Sequence, residues 1–195
     1  MAGQELPQNS YAVLGLLTFR EMSGYDLKGF ADRSIRHFFW APAKSQVYSE
    51  LRRLTAIGYV EQREVEQETR PDKRVYSITR EGRVALTAWL ESSPPGSEIV
   101  KSTTVLRTFL GEHMSPATLA QGIERYGERM GAWHEELEGW LESHEPSPSD
   151  FFPRLTIRWG LAYTAASMEW AKEAAREIES SMAKNAIGPE KGIGR

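Results

Sequence analysis

Ser45, Ser49 and Arg52 stand four and three residues apart, with Lys44, Gln46, Tyr48 and Arg53 beside them. At roughly 100° per residue they share the outer face of a helix running from about Ala43 to Ile57. The opposite face is a buried stripe of Val47, Leu51 and Leu54. Small hydroxyls at the centre of such a face let a helix approach another polar surface closely. The flanking Arg, Gln and Tyr can then reach phosphates or base edges. A face that is merely solvated more often carries long Glu and Lys side chains. Shortly after Gly58, which ends the helix, the segment TRPDKR sets Arg70, Lys73 and Arg74 against Asp72. The chemistry open to this set is recognition of a polyanion.

Bond-making chemistry finds no support. The chain has no cysteine, which excludes disulfides and thiolate metal sites. No phosphate-binding glycine loop, zinc-protease pair or nucleophile elbow occurs. His134 and Glu138 lie one helical turn apart, but no third ligand stands at a supporting spacing, so they read as a surface pair. Neither a cofactor nor a metal is expected, and the chain is not expected to be an enzyme.

The net charge of −3 is unevenly spread. Residues 1–91 carry 13 Lys and Arg against 12 Asp and Glu, whereas residues 92–195 carry 11 against 15. Binding to nucleic acid must therefore come from local patches and two copies rather than from a general positive coat. No apolar run approaches the ~18 residues of a membrane span, and MAGQELPQNS is not a signal pattern. The expected compartment is the cytoplasm, with no membrane partner.

The elements that position the polar face can be read from caps and periodicity. Asn9 or Ser10 can cap a first helix carrying Tyr11, Val13, Leu14, Leu16 and Leu17. Glu21–Gly24 reads as a turn, and Ser23 is placed to cap a second helix, Gly24–Ser34. After the third helix come two strands, Tyr59–Val65 and Val75–Ile78, joined by Gln67–Arg74. The strands are acid-rich, and their carboxylates are expected to point away from a bound duplex. Thr79 caps a fourth helix, and ESSPPGSE, residues 91–98, is the domain linker. Helix, helix, helix and charged hairpin in this order is how a winged helix-turn-helix meets DNA.

Beyond the linker, Ile99–Leu110 reads as a short helix and Ser115-Pro116 as a strong helix start. From there to about Ser143, Leu119, Ile123, Tyr126, Met130, Trp133, Leu137 and Trp140 recur with a period of about 3.5, a coiled-coil seam. A last helix from Phe151 to about Lys184 carries Leu155, Trp159, Tyr163 and Trp170 on a similar stripe. Two such helices expose more apolar edge than they cover for each other, so a second copy is the expected cover. The expected dimer interface is Leu119, Ile123, Tyr126, Met130, Trp133, Leu137, Leu155, Trp159, Tyr163 and Trp170. The fold class is mainly α with a small β-wing: a winged helix-turn-helix over 9–91 and a long-helix dimerisation domain over 98–184.

Residues 10–91 resemble the PadR family of bacterial transcriptional regulators. The resemblance is carried by YAVLGLL (11–17), SGYDLKGF (23–30), SQVYSELRRLTAIGYVE (45–61) and RVYSITREGRVALTAWL (74–90). Its most specific part is Tyr-x-x-Thr-x-x-Gly-Arg, here Tyr76, Thr79, Gly82 and Arg83. The C-terminal half is similar, by pattern, to the α-helical dimerisation domain of the family's virulence-activator-like branch. The resemblance implies a homodimeric repressor, less often an activator, of a double-stranded DNA operator. It maps DNA contacts onto Tyr25, Ser45, Gln46, Tyr48, Ser49, Arg52, Arg70, Lys73 and Arg74; Lys44 and Arg53 are added from their positions on the helix. Ala43-Lys44 replaces the branch's usual Ser-Pro start, and Ser49 replaces a proline. Relatives hold flat aromatic effectors near the dimer interface, which makes Trp133, Trp159 and Trp170 a candidate effector pocket. The competing reading is a winged-helix protein–protein adaptor that does not bind DNA.

Overall fold

The computed structural model describes residues 6–36, 38–39, 41–65, 73–92 and 101–186, in two compact units, Met1–Glu98 and Ile99–Arg195. In the first unit, α1 (Gln8–Leu17), β1 (Met22–Ser23), α2 (Gly24–Ser34) and α3 (Lys44–Ala56) precede the strands β2 (Val60–Val65) and β3 (Lys73–Ile78), and α4 (Arg80–Ser92) follows them. The sheet is antiparallel with order β1-β3-β2. Residues expected to turn at 21–24 thus include a strand, Met22 opposite Tyr76 and Ser23 opposite Val75. Two residues are too few to show alternation in a sequence.

The first unit's core is the set that periodicity selects. Val13, Leu14, Leu16 and Leu17 of α1 meet Leu27 and Ala31 of α2, Val47, Leu51 and Leu54 of α3, and Val60, Tyr76 and Ile78 of the sheet. One start differs from expectation. α1 begins after Pro7, and Ser10 does not cap it. Ser10 is fully buried, and its hydroxyl donates to Glu50 Oε2 at 2.5 Å, tying α1 to α3. Removing that donor leaves a buried carboxylate short of a partner. Ser10→Ala is therefore expected to cost about 1–3 kcal/mol in urea denaturation with an unchanged m-value.

The third helix ends in a Schellman motif. Gly58 sits at φ +77, the Tyr59 N–H donates to Leu54 O at 2.9 Å, and the Gly58 N–H to Thr55 O at 3.1 Å. The next helix starts on the same corner. Thr79 Oγ1 accepts the Gly82 N–H at 3.1 Å and donates to Gly58 O at 2.8 Å, while the Thr79 N–H donates to Tyr59 O at 3.0 Å. Tyr11 and Trp89 stack at 4.5 Å, clamping α1 to α4.

In the second unit, α5 (Thr103–Phe109) is shorter than the expected helix and is capped by Ser102. A 3₁₀ turn, Gly111–His113, leads to α6 (Pro116–Ser143), which starts at Ser115-Pro116 as the sequence predicts. α7 (Phe151–Ala186) runs antiparallel to it, and small residues set the approach: Gly127 faces Ala171 and Gly131 faces Met168. This packing covers part of the expected interface within one chain. Leu119, Ile123, Tyr126, Trp133 and Leu137 are all buried within one chain. Leu155 and Trp159 stay about half exposed, and Phe151 and Phe152 lie open beside them at the start of α7. Among the described residues no helix is long and apolar enough to cross a membrane.

Candidate nucleic-acid interface

The polar face of α3 is built from its buried face. Because Val47, Leu51 and Leu54 lock the helix into the core, Lys44, Ser45, Gln46, Ser49, Arg52 and Arg53 are held outward. Among the described residues, the side chains of Lys44, Ser45, Ser49 and Arg52 make no hydrogen bond or ion pair. Two of their neighbours are partly engaged. Ala43 offers no side-chain oxygen to the helix start, and Gln46 supplies half of a cap instead, its Oε1 accepting the Ala43 N–H at 2.9 Å. Arg53 pairs with Glu50 at 3.3 Å.

Tyr48 has a structural duty as well. Its ring packs on the backbone of Gly24, where an added Cβ would fall 2.6 Å from a ring carbon. The absence of a side chain at 24 thus sets how closely α2 meets α3. The next residue, Tyr25, is 74% exposed. Ser23 fixes this corner: its Oγ accepts the Asp26 N–H at 3.2 Å and donates to Asp26 Oδ2 at 2.8 Å.

Arg70 lies outside the described residues. The other two wing cations are ion-paired rather than free: Lys73 Nζ with Asp26 Oδ2 at 2.7 Å, and Arg74 Nε with Glu64 Oε1 at 3.3 Å. Arg63, which sequence reasoning passed over, pairs with Glu21. The lysine ammonium and the Ser23 hydroxyl hold the Asp26 carboxyl below the usual carboxylate range. Nor do the strand acids all turn one way. Glu61 and Glu64 differ in parity along β2 and so face opposite sides of the hairpin. Their charge is met within the sheet instead, Glu64 by Arg74 and Glu61 by the Ser77 hydroxyl at 3.1 Å. Asp26 stands in the first turn of α2, where the helix dipole favours a carboxylate.

The second unit holds an apolar cleft of about 480 Å³ lined by Phe109, Tyr126, Tyr163, Ser167 and Trp170 among others. Of the three tryptophans expected to form a pocket, Trp170 lines it and the other two do not. Trp133 is buried between α6 and α7 against Tyr163, and Trp159 stacks on Tyr163 at 5.5 Å. Both rings thus meet Tyr163, Trp133 from a buried position and Trp159 from a half-exposed one. The Tyr126 hydroxyl and partial burial raise the Tyr163 phenol above its ordinary value. His134 turns Nδ1 to the buried Thr164 hydroxyl at 2.7 Å, with Nε2 3.5 Å from Glu138, and among the described residues no three acidic or imidazole groups converge.

Comparison with known proteins matches both units of the chain. Residues 13–88 match the model of the transcriptional regulator PadR-like family, and residues 100–179 match the virulence activator alpha C-terminal domain. The negative transcriptional regulator PadR of Bacillus subtilis is 30% identical over 167 residues, which is 82% of this chain and 91% of that protein. The crystal structure of B. subtilis PadR in complex with operator DNA superposes with a TM-score of 0.78 at 28% identity, covering 88% of this chain and 99% of that one. The same regulator in complex with p-coumaric acid gives a TM-score of 0.70 at 27% identity, covering 87% and 98%. A helix-turn-helix corner with a wing, joined to a long helical hairpin and matched over nine-tenths of a known regulator, settles the family: this chain belongs to the PadR-like transcriptional regulators.

Proposed function

We propose that the protein is a cytoplasmic, homodimeric repressor. Each subunit sets α3 into a major groove and its wing against the phosphate backbone. The observation that carries this reading is the outer face of α3. Lys44, Ser45, Ser49 and Arg52 stand there without a protein partner among the described residues, on a helix whose other face is locked into the core. The B. subtilis regulator bound to operator DNA supports the docking mode, and its complex with p-coumaric acid supports release by a small aromatic effector. Tyr25, Gln46, Tyr48 and Arg53 complete the proposed contact surface, with Arg70, Lys73 and Arg74 on the wing. The half-exposed Leu155 and Trp159, with the aromatic start of α7, are the proposed partner-facing edge. Regulation, not catalysis, is the activity.

The test is a gel shift with duplexes selected by the protein from a random pool, backed by sedimentation at micromolar concentration. A retarded complex of two subunits with enrichment of a symmetric site is expected. A lone subunit, or no enrichment, would remove the reading. Lys73→Ala should weaken random and selected duplexes alike and lower the slope of log K against log salt by about one unit per bound subunit.

One observation favours a winged-helix adaptor instead: Arg63, Lys73 and Arg74 are each held by a carboxylate. Such exposed pairs are screened by solvent and too weak to keep a cation from a phosphate. The gel shift separates the two readings.

A further inference from the structure

We infer that Asp26 restrains sequence-independent DNA binding by occupying Lys73 until a phosphate displaces it. The inference rests on the DNA-binding reading above and adds a residue to it. Asp26 belongs to α2, yet its carboxylate reaches across to the first residue of β3, 2.7 Å from the lysine Nζ. Both partners are more than a third exposed, so an incoming phosphate can compete for the ammonium.

The carboxylate is held in place by Ser23 and by the start of its own helix. The Ser23 hydroxyl donates to it, and Ser23 Oγ in turn accepts the Asp26 N–H. It also lies in the first turn of an 11-residue helix, where the dipole favours negative charge. Ser23 itself is fixed in β1 opposite Val75, two residues from Lys73 along β3. The pair therefore joins the start of α2 to the root of the wing through a rigid strand contact. Its carboxyl ionises more readily than usual, so the charge is present throughout the neutral range.

The consequence is an exchange. Free protein holds Lys73 on Asp26; bound protein holds it on a phosphate, and Asp26 is left bare near the duplex. Breaking the pair weakens every DNA sequence equally, since phosphates carry no sequence information. Asp26 thereby lowers occupancy of random sites without touching the base-reading face of α3.

The experiment measures binding of a fluorescein-labelled random-sequence duplex by anisotropy at low salt. It uses the full-length unaltered protein, Asp26→Asn, Lys73→Ala and the double variant, with thermal unfolding run on each. Asp26→Asn keeps an oxygen for the Ser23 hydroxyl and should bind about two- to fivefold tighter, the size of a surface ion pair. In the Lys73→Ala background the same change should have little effect, because there is no ammonium to release. Asp26→Glu should return affinity toward that of the unaltered protein. Weaker or unchanged binding by a folded Asp26→Asn protein overturns the inference, as does tightening that persists undiminished without Lys73. Failure of the unaltered protein to bind any duplex overturns the reading of function beneath it.

Discussion

Gly82→Ala is expected to lower the stability of the N-terminal unit by about 3 kcal/mol, the upper end of what overpacking a tight site costs. An added Cβ would stand 2.2 Å from the Tyr59 carbonyl oxygen and 3.0 Å from an Ile78 side-chain carbon. That oxygen cannot easily retreat, because it accepts the Thr79 N–H at 3.0 Å. The Thr79 hydroxyl is in turn committed to Gly58 O and the Gly82 N–H. A methyl group at 82 therefore pushes on the corner where α3 ends, β2 begins and α4 starts. For a domain of this size the loss corresponds to a fall in melting temperature on the order of 15 °C. Gly122→Ala in α6 is the control, since nothing lies within 4 Å of the added carbon, and it should be neutral or slightly stabilising. Equal melting temperatures for Gly82→Ala and the parent would show that this corner yields more easily than its hydrogen bonds imply.

Arg52→Ala is expected to weaken binding to a selected operator by ~1–3 kcal/mol per subunit, the worth of one bidentate contact to a guanine. With two subunits engaged, the combined loss reaches ~10²-fold or more. Stability should hardly change, because the side chain is exposed and makes no ion pair among the described residues. Arg52→Lys discriminates between roles: it keeps the charge for a phosphate but cannot present the planar fork that reads a base. Loss of selected-site affinity in both variants, with random-duplex affinity nearly intact in the lysine variant, marks a base contact. Equal losses on both duplexes would reassign Arg52 to the backbone.

Periodic burial was the part of this protein most open to reading in its sequence. Val47, Leu51 and Leu54 repeat at helical spacing, so burying them fixes which side chains of α3 face outward. Ser115-Pro116, Ser23 and Thr79 are local caps whose partners lie three residues ahead, and each forms where the sequence places it. Such features depend on neighbours along the chain, which a linear pattern preserves.

Partners far apart in sequence escaped it. Ser10 looks like a cap and instead meets Glu50, forty residues on. Lys73 looks like a free wing cation and instead meets Asp26. The seam of α6 is largely buried by the chain's own α7, which its period alone does not say. Trp133 and Trp159 both meet the ring of Tyr163, thirty and four residues away along the chain.

What the chain determined by itself was thus the family, the helices, and the outward face of α3, since backbone periodicity and local hydrogen bonds are set over a few residues. Only the tertiary structure decided which of the charged and aromatic side chains remain available. Availability depends on what distant segments bring within about 3 Å, and long side chains at a surface take whichever opposite charge the fold delivers.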